Sequence, residues 1–261
     1  MKYGMPFLLE CGTVEENAAV CASLGLDFLE LNLSFPTCGL DQLTAERLLN
    51  VQRQYGIGLT AHLHEELAPC AFEERVSAAW VSHARDAIVL ARQAGIPLVN
   101  MHWMRGVRVT LPDRVVYLSE AYREAYLKKV MNFRKVCAEA SQDAVTVCVE
   151  NLEEGWLPFQ REAIELLLED PTFQLTMDIG HAAVAKGKDE DFFRQHRERL
   201  RHMHAHDAEG EHPHLPFGTG KIDLEARLSL AQQCGARALL EVKTLAALRE
   251  TTAWLDAHGK R

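Results

Sequence analysis

Six apolar runs in this chain end in side chains that could bind metal or move protons. They are Thr60-Ala61-His62-Leu63-His64, Asn100-Met101-His102-Trp103, Val149-Glu150-Asn151, Met177-Asp178-Ile179-Gly180-His181, His202-Met203-His204-Ala205-His206-Asp207 and Leu240-Glu241-Val242-Lys243. Histidine is also concentrated: of twelve, His202, His204, His206, His212 and His214 lie close together, far from either end. A lone histidine after a strand is more often structural, and a Glu-Asn pair often caps a helix. The joint placement is the signal. Carboxylates such as Glu150, Asp178 and Glu241, if gathered at one place, repel one another and lose hydration, which is tolerable chiefly when a divalent cation sits among them. Imidazoles beside them then read as ligands. Mixed nitrogen and oxygen ligation suits Zn2+, Mn2+, Co2+ or Fe2+ better than Ca2+ or Mg2+, which prefer all-oxygen shells.

Such a cluster needs a fold that brings strand ends together. Strand-length apolar runs recur at 6–10, 28–33, 58–63, 98–102, 145–150, 173–178, 201–206 and 238–242. Helical patterning separates them at 13–24, 43–55, 72–94, 114–140, 161–169, 189–200, 223–233 and 245–258. Thr13-x-x-Glu16 reads as a capping box, and Gly25, Gly56, Gly95 and Gly235 stand where helices should stop. Eight βα units with no Pro/Gly/Ser linker and no shift of composition predict one (β/α)8 TIM barrel over residues 1–261, rather than an open doubly wound sheet. In that fold the C-terminal strand ends converge on one mouth, where the chemistry collects. On a strand, side chains alternate with a period of two, so His202, His204 and His206 share a face at different depths.

Composition narrows the partners. The chain has 261 residues, 48% hydrophobic and 25% charged, which is ordinary for a globular domain. A net charge of −9, from 28 Lys+Arg against 37 Asp+Glu, opposes a phosphate backbone or an anionic membrane unless cations are bound. Seven scattered cysteines without a Cys-x-x-Cys pair read as reduced thiols and a cytoplasmic setting. No apolar run approaches membrane-span length, and the N-terminal stretch does not read as a signal peptide. Oligomeric state stays open.

The ordered set Glu150, Asp178-x-x-His181, His204-x-His206-Asp207, a His-x-x-x-Gly-x-Gly-x-Ile-Asp loop from His214 to Asp223, and Glu241 resembles the xylose-isomerase-like barrel superfamily. That superfamily holds sugar phosphate isomerases and epimerases as well as AP endonucleases of the endonuclease IV type. The isomerase branch implies one divalent metal held by Glu150, Asp178, His204 and Glu241, with Glu150 and Glu241 doubling as acid and base and His181 touching substrate. The endonuclease branch implies three zinc ions on His62, His102, Glu150, Asp178, His181, His204, His214 and Glu241. Its ninth ligand is an aspartate where this chain has His212. Where those endonucleases wedge an aromatic residue into DNA, this chain has Glu65 followed by Glu66, and acid there opposes DNA.

The first reading is a metal-dependent sugar or sugar-phosphate isomerase or epimerase. It works by proton transfer through a metal-stabilised enediolate, with Mn, Co or Zn as cofactor and a small carbohydrate as partner. His62, His102, His181 and Trp103 are then substrate contacts. The second is a multinuclear zinc phosphoesterase, in which His62, His102, His181, His212 and His214 hold extra ions. A ligand-binding barrel without catalysis and a dehydratase complete the set. Gly218-Thr219-Gly220-Lys221 could cradle phosphate, though Asp223 reads as the cap of the next helix and its charge would compete. Arg105, Arg108 and Lys243 are further phosphate candidates, and Trp156 is a wall candidate. Glu30 reads equally as a mouth residue or a solvated one. His83, His196 and His258 read as solvated helix residues.

Overall fold

In the computed structural model, which describes residues 1–260, eight parallel strands close into a barrel. They are β1 (Tyr3–Pro6), β2 (Phe28–Asn32), β3 (Gly58–His62), β4 (Leu98–His102), β5 (Thr146–Glu150), β6 (Phe173–Asp178), β7 (Leu200–Ala205) and β8 (Arg237–Leu240). Each pairs with its neighbour in sequence, and β8 returns to β1. The helices between and after them are α1 (Val14–Ser23), α2 (Ala45–Tyr55), α3 (Glu74–Gln93), α4 (Arg123–Ser141), α5 (Pro158–Leu168), α6 (Glu190–Gln195), α7 (Leu224–Cys234) and α8 (Leu245–Ala257). This is the expected (β/α)8 fold. No helix among the described residues is long and apolar enough to cross a membrane.

Local chemistry explains the boundaries. Thr13 and Glu16 exchange the expected capping bonds, Glu16 N to Thr13 Oγ1 at 3.2 Å and Thr13 N to the Glu16 carboxylate at 2.9 Å. Gly56 and Gly235 end α2 and α7 at φ 68°, a left-handed conformation that a side chain would oppose. Three expectations need correction. The first strand comes earlier than 6–10: the alternating Tyr3 and Met5 are buried, while Leu9–Cys11 form a 3-10 turn that leaves Leu9 71% exposed. The helix expected from 114 begins instead as the strand Val115–Tyr117. Pro112 and Asp113 make a turn, and the β-branched pair Val115 and Val116 favours a hairpin with Arg108–Thr110. Helix α6 stops at Gln195 and passes into a 3-10 turn at Arg197–Arg199. A second hairpin, Asp207–Glu209 with His212–Leu215, and a short helix, Ile179–Val184, lie beyond what the periodicity shows.

Period-two alternation sorts the barrel. Leu29, Leu31, Leu59, Val99, Val147, Val149, Leu175, Met177 and Met203 are buried in the apolar core. The intervening residues, Cys148 apart, are polar and face one another across the register. Glu30 lies opposite Thr60, His62 opposite Asn100, His102 opposite Glu150, Thr176 opposite His202 and Asp178 opposite His204. Bonds run along this inner layer, Thr60 Oγ1 to Glu30 at 2.8 Å and Thr176 Oγ1 to Asn100 at 2.6 Å. At the N-terminal end Phe28 lies on Gly4, whose Cβ would come within 2.3 Å of the ring, so only glycine fits there.

Beyond β7, Asp207 organises the loop that leads to α7. Its carboxylate accepts from the backbone N–H groups of Ala208 at 2.9 Å, Gly218 at 3.0 Å, Gly220 at 2.8 Å and Ile222 at 3.0 Å. Asp223 caps α7 through Ala226 N, as expected. The amides a bound phosphate would need are therefore taken. Replacing the carboxylate strands several amides, each costing about 1–3 kcal/mol if left unsatisfied. Asp207→Ala is expected to lower the unfolding free energy by roughly 3 kcal/mol or more, measured by urea denaturation. A loss below about 1 kcal/mol would show that the loop holds without it.

Candidate metal centre and active site

His204, on β7, is the hub of the mouth. Its Nδ1 faces Glu241 Oε2 at 3.0 Å, Glu150 Oε1 at 3.1 Å and Asp178 Oδ2 at 4.0 Å, so carboxylates from three strand ends converge on one nitrogen. Behind it, Nε2 lies 3.1 Å from Glu30 Oε1, and a second Glu30 oxygen is 3.1 Å from His202 Nε2. Burial works against charge on His204, yet Glu150, Glu241 and Glu30 hold its imidazole well above the ordinary histidine value. Burial would raise the acid of Glu150, but His204 and His102 hold it well below the carboxylate range. For Glu241 the same burial is outweighed by Lys243 and His204.

Glu150 is ringed by imidazoles. His204 is joined by His102 Nε2 at 3.3 Å, His62 Nε2 at 3.5 Å and His181 Nδ1 at 3.5 Å, and the Asn100 amide donates to the same carboxylate. His62 and His102 stand edge to face, 4.9 Å apart. On the other flank, His206 Nε2 is 3.0 Å from both oxygens of Asp178. Its Nδ1 accepts the backbone N–H of His214 at 2.7 Å, which leaves the ring proton on Nε2, pointed at Asp178. Gly180 allows this approach, because a Cβ there would fall 1.8 Å from the His206 ring. Asp178 also accepts from His181 N at 2.6 Å and so starts the short helix that carries His181.

The expected residues do not all arrive. His62, His102, Glu150, Asp178, His181, His204, His214 and Glu241 gather at the mouth, with His214 Nδ1 3.0 Å from the Glu241 carbonyl. His212 is exposed on the hairpin, across from Glu209. Trp103, expected against substrate, has no exposed surface; its indole N–H donates to Tyr126 at 2.8 Å, so it supports the loop from below. Trp156 likewise is buried against Phe192 and Phe193. The cations considered for phosphate are engaged or distant: Arg105 pairs with Glu154 at 2.9 Å and Lys243 with Glu241 at 2.7 Å, while Arg108 is exposed on the hairpin. Of the helix histidines, His83 is half-buried near His64 and Trp80, His196 pairs with Glu165, and His258 stacks on Trp254. Glu65 bonds His102 Nδ1 at 3.0 Å.

The donor set fits a divalent transition ion. His204 Nδ1, Glu241 Oε2 and His102 Nε2 are buried without hydrogen-bond partners, an arrangement that costs free energy unless something else satisfies them. Ligand-type atoms of His102, Glu150 and His181 lie within 4.8 Å of one another, as do those of His206, His214 and Glu241. Nitrogen and carboxylate oxygen together match such an ion.

A family model described as xylose isomerase-like TIM barrel matches residues 18–258, and the chain belongs to that family. No curated protein sequence matches it. Among solved structures, a D-tagatose 3-epimerase-like protein superposes with a TM-score of 0.79 at 21% identity, covering 100% of this chain and 97% of the other. The 3-keto-D-glucoside 4-epimerase YcjR from E. coli gives 0.75 at 16%, covering 98% and 99%. IolI with a bound zinc atom gives 0.76 at 15%, covering 100% and 99%. At these identities the likeness is one of fold.

Glu30 is the residue the sequence leaves undecided. It is 3% exposed and ties β2 to β7 through His202 and His204, with Thr60 holding the same carboxylate. A carboxylate behind a metal-ligating histidine fixes its ring orientation and tautomer. Glu30→Gln is expected to weaken Zn2+ or Co2+ binding by about 10- to 100-fold, read by chelator competition on folded protein. Unchanged affinity would reduce Glu30 to a packing role.

Proposed function

We propose that the chain is a metal-dependent sugar isomerase or epimerase, with one divalent ion held by Glu150, Asp178, His204 and Glu241. The observation that carries this reading is the meeting of two glutamates, from β5 and from the end of β8, at one imidazole nitrogen. Sugar epimerases among the similar folds support it. When bound, the ion supplies Lewis acidity, polarising a carbonyl and loosening the proton on the adjacent carbon.

The chain's own residues handle that proton. Carboxylates that also hold a divalent cation are weak bases, so removing a proton from carbon depends on the substrate being acidified first. Glu150 and Glu241 reach the same point from different strands, so one can take the proton and the other return it. Return to the opposite face gives an epimer; return to the neighbouring carbon exchanges aldose and ketose. His62, His102 and His181, which surround Glu150, hold substrate hydroxyls in this reading. Solvent deuterium should enter the α-carbon of a ketose or aldose from a broad panel, and Glu241→Gln or chelation of the metal should abolish it. Absence of exchange across the panel counts against the reading.

A zinc phosphoesterase is the second reading, favoured by the arrival of His62, His102, His181 and His214 beside the carboxylates. Elemental mass spectrometry of protein purified without chelator separates the two. About one ion per chain, unchanged in His102→Ala, is expected; two or three zinc ions, reduced by that substitution, would move the assignment to hydrolysis.

A further inference from the structure

The hairpin after β4, Arg108–Thr110 with Val115–Tyr117, forms a small sheet that joins no other strand among the described residues. Val107, Val109 and Leu111 alternate along its first strand and so share one face, and all of them are exposed, Val107 by 60%. The barrel leaves that face largely uncovered. A lone hairpin is marginal in water unless one of its faces is packed, and grouped exposed apolar side chains mark a surface that a partner covers. The patch continues past the hairpin. Val107 lines the same cavity as Phe72 and Val76, and Val76 and the Tyr122 ring that meets Phe72 are exposed as well.

The backbone of the first strand selects the occupant. Leu111 N donates to Arg114 O at 2.8 Å and Leu118 N to Val107 O at 2.9 Å, so alternate residues turn inward, while Arg108 and Thr110 turn their N–H and C=O groups outward. That edge can take one more strand. On the other side Tyr117 packs on Phe159 and Leu118 passes at once into a short helix, which leaves no comparable edge. An antiparallel second copy of the first strand, related by a two-fold axis, must set outward groups against outward groups. Centred on Arg108, it places like charges face to face. Centred on Thr110, it sets Arg108 against Pro112, which has no N–H to give. Centred on Val109, it sets each Arg108 against the other copy's Thr110, and on the apolar face it sets Val107 against Leu111 and Val109 against itself. Backbone, charge and apolar face agree in this register. We infer that the chain associates with a second copy of itself by antiparallel pairing of the Arg108–Thr110 strands about a two-fold axis at Val109, which joins the two hairpins into one sheet. An edge this short covers less than the roughly 800 Å2 per partner of a stable interface, so the association is weak and reversible. It does not depend on the reaction at the mouth.

Sedimentation velocity on the full chain from roughly 1 µM to 1 mM, the span over which so small an interface dissociates, tests it. The protein should pass from monomer to dimer across the series. Val109→Asp, which sets two carboxylates face to face on the axis, should leave monomer throughout. Thr110→Asp gives each exposed Arg108 a carboxylate across the axis and should tighten the dimer about threefold or more, and Thr110→Arg should weaken it by a like factor. Both positions are exposed, so the variants keep the fold, which thermal melting checks. Monomer at every concentration, a dimer that survives Val109→Asp, or failure of the two Thr110 variants to move the dimer in opposite directions would each overturn the inference.

Discussion

Four carboxylates stand inside or at the mouth of this barrel, and the rest of the structure is arranged to make that tolerable. Glu30, Glu150 and Asp178 are almost wholly shielded from water. Ionised groups in that position are costly unless opposite charge and hydrogen bonds reach them. Here imidazoles do so: His202 and His204 for Glu30, His62, His102, His181 and His204 for Glu150, His206 for Asp178. Because each partner hangs from a different strand, the closed register of the barrel is what keeps the charges matched. A shift of one residue in any strand would turn its polar face into the apolar shell.

That arrangement divides labour between two layers. The shell of Leu, Val and Met against the helices supplies the burial that holds the barrel closed. The inner layer, often branched aliphatic in such barrels, is here largely polar from Glu30 round to His204, with Phe28, Cys148 and Leu239 its apolar members. Its alignment with the mouth lets strand packing, rather than flexible loops, set the distances among His204, Glu150 and Glu241.

Much of this is legible in the sequence because its signals are local. Alternation along β2 to β7, the Thr13 box and the glycines after α2 and α7 each act within a few residues, and the fold rule that strand ends share a mouth then gathers Glu150, Asp178, His204 and Glu241. What the sequence hides depends on distant partners. Glu30 between Leu29 and Leu31 carries the signal of an inward charge, yet its role exists only through His202 and His204 across the barrel. The alternation of His202, His204 and His206 places them on one face but cannot show that His206 turns to Asp178, since the backbone of His214 settles its tautomer. Trp103 looks like a pocket wall until Tyr126, on α4, claims its N–H. The two hairpins escape because strands of three or four residues are too short for periodicity to register.

Asp207 carries a consequence of a different kind. Its carboxylate occupies a ring of glycine-rich amides that has the makings of an anion seat, so the chain brings its own permanent guest to it. The same bonds lock the loop beside β7. Strut and receptor are thus a single object, and the protein keeps the strut by giving up the receptor: a substrate's phosphate would have to evict a covalently tethered competitor before finding any hold there.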